Sequence, residues 1–360
     1  MTLDLQDHTL LELILSKLQP IQFNSPILLV SKYIRQIVKD NNLNVNLHVK
    51  KQKNILNNIE FNITNISISN FTRDVEEINN IIKKLERFAN LTDLDIRHNR
   101  ISDITKLQKF TTLTRLDLGS NYISNVDKLA NFTNLTELYL DCNSISSIDV
   151  LANLTKLTRL NLDINDISDI YPLANLTNLT ELNIHHNIIS DIRRLEKLTN
   201  LTKLILSGNE ITSIDGLAKL TSLTKLYLSS NNISNIDSLA KLTNLTELNI
   251  RSNRINDITK LEKLTNLTRL YLGNNYISNI YGLANFTNLT ELYLDGNEIT
   301  SIDGLAKLTN LTKLNLVANF ISNIDQLSNL INLTHLILCD NEISNIDHFA
   351  TLTNLIELIY

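Results

Sequence analysis

The sequence predicts a solenoid, and three observations carry that prediction. Slid against itself, the chain repeats every 22 residues without insertion or deletion, and a strict period in this range is the mark of stacked structural units. The leucines that open the pattern LxxLxLxxNxI stand at Leu91, Leu113, Leu135, Leu157, Leu179, Leu201, Leu223, Leu245, Leu267, Leu289, Leu311 and Leu333, and a partial thirteenth copy begins at Leu355. A hydrophobic fraction of 43% with only 3 prolines and 7 glycines in 360 residues argues for a folded chain and against a loop-rich one.

Each coil reads in the same way. In LTELYLDGNEITSIDGLAKLTN, Leu289, Leu292 and Leu294 alternate inward along a short strand, Ile299 and Ile302 follow the turn, and Leu305 and Leu308 line the return path. One coil is too small to bury that face, so its neighbours in the stack must cover it. Asn297 is the polar exception at an inward position, with equivalents from Asn99 through Asn341 in all twelve full coils. Its amide carries donors and an acceptor suited to backbone groups that a tight turn leaves unpaired. Asp127, Asp149, Asp215, Asp237, Asp303, Asp325 and Asp347 precede the short apolar turn of their coils, where a carboxylate is expected to cap free N–H groups.

LxxLxLxxNxI, continued by IxxLxxL, closely resembles the leucine-rich repeats, and the 22-residue length is similar to the subclass of the leucine-rich regulator of protein phosphatase 1 and the bacterial internalins. The match covers residues 91–360. The resemblance implies an α/β solenoid, curved, with a parallel β-sheet on its concave face, used to bind proteins rather than to catalyse a reaction.

Residues 46–90 read as the N-terminal cap of the array: an irregular first strand through Ile63, Ile66 and Ile68, then a helix with Val75, Ile78, Ile82 and Leu85 on one face. At the other end the sequence reaches Tyr360 in mid-strand, with no polar cap in view.

Residues 1–45 have another grammar. Thr9 with Glu12 makes a capping box ahead of a helical stripe of Leu11, Ile14, Leu15 and Leu18. Ser25 and Pro26 open a second helix whose apolar side is Ile27, Val30, Ile34 and Val38. LLELILSKLQP followed by LLVSKYIRQIV resembles an F-box: Leu18 to Pro20 match its Leu-x-Pro step and Leu29 to Lys32 its LVSK step, while Gln6 and Ser25–Pro26 depart from the pattern. That resemblance implies a face formed by Leu11, Ile14, Leu15, Leu18, Pro20, Leu29 and Val30 that docks on the Skp-type adaptor of a cullin-RING ubiquitin ligase. The concave sheet would hold the protein to be ubiquitinated, and gripping both partners raises the local concentration of substrate at the ligase. The alternative is a free-standing scaffold or phosphatase-type regulator in which the two helices only cap the solenoid.

Outward strand positions form rows across the coils. One row runs Asp93, Arg115, Glu137, Arg159, Glu181, Lys203, Lys225, Glu247, Arg269, Glu291, Lys313, His335, and its signs alternate almost throughout, which suits cross-strand pairing. The next runs Asp95, Asp117, Tyr139, Asn161, Asn183, Ile205, Tyr227, Asn249, Tyr271, Tyr293, Asn315, Ile337. Tyr139, Tyr227, Tyr271 and Tyr293, with Arg251 near the last two, have the composition of binding hot spots. Asp141, Asp163 and His185 share a third row, but side chains on a nearly flat sheet diverge, and no metal or cofactor is expected.

Other classes fall away on composition. A formal charge of −5 offers no basic footprint for nucleic acid. Cys142 and Cys339 sit nine coils apart, roughly 40 Å at the strand spacing, and cannot bridge. No secretory leader or apolar run of membrane-spanning length is present, so an intracellular, cytoplasmic protein is expected, and the NLT and NIS triplets read as by-products of the repeat. No Gly-rich phosphate loop, HExxH or nucleophile with a spaced base occurs.

Overall fold

The computed structural model describes residues 3–4, 45–48, 64–68, 75–344 and 351–360. The segment expected to form two F-box-like helices, with Leu11, Ile14, Leu15, Leu18, Pro20, Leu29 and Val30, lies outside the described residues. The chain divides into two compact units, Met1–Asn165 and Asp166–Tyr360.

In the first unit the strands are β1 Leu3–Asp4, β2 Val45–His48, β3 Asn65–Ser67, β4 Asp93–Asp95, β5 Arg115–Asp117, β6 Glu137–Tyr139 and β7 Arg159–Asn161, all parallel to their neighbours. Helix α1, Val75–Leu85, buries Ile78, Ile82 and Leu85 beside the first repeat, as its helical spacing predicts. Sequence reading did not anticipate β1 and β2, which continue the parallel pairing upstream of the cap's expected first strand.

The second unit carries β8 Glu181–Asn183, β9 Lys203–Ile205, β10 Lys225–Tyr227, β11 Glu247–Asn249, β12 Arg269–Tyr271, β13 Glu291–Tyr293, β14 Lys313–Asn315, β15 His335–Ile337 and β16 Glu357–Ile359. From β8 to β16 each strand pairs in parallel with the next, 22 residues on, so equivalent residues of successive coils stand side by side.

The periodic apolar residues are the core: Leu289, Leu292, Leu294, Ile299, Ile302, Leu305 and Leu308 are all buried. Stacking supplies the partner surface that no coil has by itself, which is why burial follows the 22-residue pattern.

Each strand from β4 to β15 is three residues long because the chain then turns through a left-handed residue. Ten of these positions, among them Cys142, Ile164 and Ala318, are not glycine, and Gly208 and Gly296 fill the other two. The buried asparagine that follows holds the turn. Asn297 donates Nδ2–H to the carbonyls of Leu294 (2.9 Å) and Leu272 (3.1 Å), and its Oδ1 accepts from Ile277 N–H of the preceding coil (3.0 Å). Asn121 and Asn275 repeat the arrangement.

The return path is a short 3₁₀ helix, and here one expectation is corrected. In the described coils the residue two places before the helix's first position caps it, rather than the aspartate at that position, and Asp347 lies outside the described residues. Asn125 Oδ1 accepts the N–H of Asp127 (2.8 Å), Asn323 that of Asp325 (2.8 Å), and Asp191 that of Arg193 (2.9 Å). A carboxylate on the first residue of so tight a turn is carried past its own free N–H groups, whereas a side chain two residues back folds over them.

Candidate partner-binding face

On the outer face of each sheet the first row is an ion-pair ladder. Arg115 meets Asp93 at 2.9 Å and Glu137 at 3.6 Å in the first unit. In the second, Arg269 meets Glu247 (3.5 Å) and Glu291 (3.7 Å), and Lys313 meets Glu291 (3.5 Å). These charges satisfy one another across strands, and being partly solvated they contribute modestly to stability.

The second row differs between the units. Asp95 and Asp117 point outward yet are buried, because arginines lie over them: Arg97 grips Asp95 at 2.7 Å and reaches Asp117 at 3.4 Å, and Arg115 reaches Asp117 at 3.3 Å. Burial pushes Asp117 above the usual carboxylate range, while at Asp95 the Arg97 hydrogen bonds outweigh burial and hold the group below it. Tyr139 ends this acidic run, its hydroxyl donating to Glu137 (2.9 Å) and its ring under the Arg115 guanidinium.

In the second unit the row is aromatic. Tyr271 and Tyr293 stack with ring centroids 4.7 Å apart and an interplanar angle of 10°. The separation matches the spacing of adjacent parallel strands, which is why two tyrosines at equivalent positions stack without distorting the backbone. Tyr293 donates to Glu291 (3.2 Å), and burial together with that carboxylate pushes its phenol up to about 12. Burial and Glu247 raise Tyr227 as well. All these phenols remain protonated, neutral donors at physiological pH.

Arg251 Nη1 pairs with Asp295 at 2.8 Å, two coils on, passing over Gly273. A Cβ at Gly273 would stand 2.5 Å from Asp295 Oδ1 and 2.7 Å from Arg251 Nη1, so the missing side chain opens the path. Arg251 flanks the tyrosine stack as half of a fixed ion pair. In the third row Asp141 Oδ1 accepts from Asn161 Nδ2 (2.9 Å), and His185 Nδ1 donates to the Ser207 carbonyl (2.8 Å). Among the described residues no group of three or more His, Cys, Asp or Glu is placed to hold a metal. Cys142 and Cys339 are free thiols.

Sequence reasoning missed two further ladders. In the NLT triplets the asparagine donates to a carbonyl of the preceding coil, as Asn288 does to Thr265 (3.0 Å), and the threonine hydroxyl does the same, as Thr290 does to Thr268 (2.9 Å). Their recurrence at fixed coil positions was the available signal.

This geometry agrees with comparison to known proteins. The family Leucine Rich repeats (2 copies) matches at residues 89–131, 111–153, 133–175, 155–198, 199–241, 243–285 and 287–329. The chain belongs to the leucine-rich repeat family. An internalin (inlF) of Listeria monocytogenes is similar at 34% identity and TM-score 0.77, over 86% of this leucine-rich repeat chain and 89% of that one. Internalin C2 of the same species is 37% identical with a TM-score of 0.51, over 52% and 83%. The ectodomain of the plant receptor kinase GASSHO1/SCHENGEN3 from Arabidopsis thaliana, solved in complex with CASPARIAN STRIP INTEGRITY FACTOR 2, shares the fold alone at 22% identity and TM-score 0.65, over 88% and 46%. Among curated protein sequences none matches. No helix among the described residues is long and apolar enough to cross a membrane.

Proposed function

We propose that this leucine-rich repeat protein is a binding scaffold without catalytic activity. In this reading the sheet face of the second unit holds a partner protein, with Tyr227, Tyr271 and Tyr293 as anchors and the Arg251–Asp295 pair as a fixed polar border. The stacked, half-buried Tyr271–Tyr293 pair carries the reading, since rigid aromatic area costs little conformational entropy on binding. Tyr139 in the first unit, already tied to Glu137 and Arg115, is a subsidiary contact. The test is affinity capture with full-length protein against a Tyr271→Ala/Tyr293→Ala variant, with Tyr276→Ala/Tyr281→Ala as the control for exposed tyrosines off the sheet. Partners lost with the first pair and kept with the second support the reading. Equal capture by all three forms ends it.

The finer proposal is that residues 1–45 dock on a Skp-type adaptor through Leu11, Ile14, Leu15, Leu18, Pro20, Leu29 and Val30, making the chain an intracellular substrate receptor of a ubiquitin ligase. It rests on the F-box resemblance of LLELILSKLQP and LLVSKYIRQIV. A specific observation favours the alternative, a scaffold whose N-terminal segment is a cap: β1 and β2 bracket the segment and join the parallel pairing of the sheet. Mixing purified full-length protein with a Skp adaptor decides between them. Binding abolished by Leu29→Asp or Val30→Asp supports the receptor, and no binding by the folded wild type leaves the cap.

A further inference from the structure

On the second unit's outer row the asparagines are oriented by their own strands. Asn183 Oδ1 accepts the N–H of His185 (3.2 Å), Asn249 Oδ1 that of Arg251 (3.1 Å) and Asn315 Oδ1 that of Val317 (3.1 Å). A backbone N–H can only donate, so the oxygen of each amide must face it and the NH2 group must be the atom turned away. None of the three Nδ2 groups has a partner among the described residues. Tyr271 adds a fourth donor: Tyr293 in the next coil gives its hydroxyl to Glu291, while the Tyr271 hydroxyl has no hydrogen bond among the described residues. All four residues are half-buried and reach the surface of the face.

We infer that this row is a line of hydrogen-bond donors that reads the main-chain carbonyls of an extended polypeptide lying across the strands. The inference deepens the proposed binding reading and rests on it. An unfolded-out strand offers carbonyl acceptors at regular intervals whatever its sequence, and the apolar members of the row, Ile205, Ile337 and the tyrosine rings, then select its side chains. From β8 to β14 there are six strand steps, about 29 Å, which an extended segment of about nine residues spans. In the first unit the equivalent row presents carboxylates, and Asn161 there spends its NH2 on Asp141, so the donor line belongs to the second unit.

Asn→Asp is the discriminating substitution, because it keeps the oxygen that holds the strand N–H and removes only the outward donor. Full-length protein is panned with a phage library of 12-residue peptides, and a net-neutral binder is measured by calorimetry against Asn249→Asp, Asn315→Asp and Tyr271→Phe. The expected result is about tenfold weaker binding for each, and no change for Asn279→Asp, which makes the same exchange at a 3₁₀ cap away from the face, where Oδ1 holds the N–H of Tyr281. Peptides that lose binding with Tyr293→Ala but not with the Asn→Asp variants overturn the donor line and leave the proposed face standing. Peptides indifferent to every one of these changes overturn both, and a library that yields no binder overturns the inference.

Discussion

Two stretches of this protein are near copies, RHNRISDITKLQKFTTLTRLDLGSNYISN from Arg97 and RSNRINDITKLEKLTNLTRLYLGNNYISN from Arg251, seven coils later, yet they present different faces. Arg97 has Asp95 before it and Asp117 in the next coil, and it closes on both. Arg251 has Asn249 and Tyr271 at those places, finds no carboxylate nearby, and extends over Gly273 to Asp295. Their buried apolar rows match, with the same leucines, isoleucines and ladder asparagines, except that Phe110 stands where the second copy has Leu264. A repeat core tolerates almost no variation, because every buried group must fit two neighbours, whereas two outward substitutions rewire a whole local network.

The largest expected effect tests where the two stretches are alike. Asn121→Ala and Asn275→Ala each strand several buried backbone groups, and each should cost about 3 kcal/mol. Urea denaturation checks this, and clearly unequal costs would break the claim of matching cores. Next, Arg97→Met should cost about 2 kcal/mol and Arg251→Met about 1, since the first uncovers two buried carboxylates and the second one. Equal losses in the same denaturation experiment would mean that the Asp117 contact contributes nothing.

Smaller effects follow at the left-handed turn residue, where the copies carry Cys142 (φ 53°) and Gly296 (φ 64°). Cys142→Gly should gain about 1 kcal/mol and Gly296→Cys lose at least as much, read as opposite shifts of the melting temperature. The loss is compounded at Gly296, where an added Cβ runs into Asn274.

The subtlest test is pH. Burial raises Asp117 in the folded state, so folded protein holds a proton that the unfolded chain has released, and stability from this group falls as pH rises from 3.8 through the raised value. Asp95 is lowered, and its contribution is present above 3.8 and lost as pH falls through the lower value. Carboxyl carbon NMR should show Asp117 titrating above Asp95, and Asp117→Asn should flatten the stability slope above pH 3.8. Coincident titrations would refute the arginine arrangement of the first unit.

Much of this was legible beforehand for a definite reason. The 22-residue period, the inward leucines and isoleucines, the asparagine ladder and the alternating ion-pair row all depend on which residues share a coil position, and the sequence states that directly. The tyrosine row was visible for the same reason. The 3₁₀ caps were misassigned because an aspartate beside a turn and an asparagine two places earlier look equally suited until backbone direction is known.

What the sequence determined by itself was the fold and the rows, because identical positions of successive coils must stack in register when each coil is too small to fold alone. The tertiary structure decided what each row does. Whether Arg97 or Arg251 closes on its own strand or crosses a glycine, which atom of Asn249 and Asn315 faces outward, and that β1 and β2 join the sheet from far upstream all depend on distances between groups that the linear chain does not order. Hydrogen-bond direction and reach are properties of placed atoms, so the donor line came into view only after the strands were set side by side.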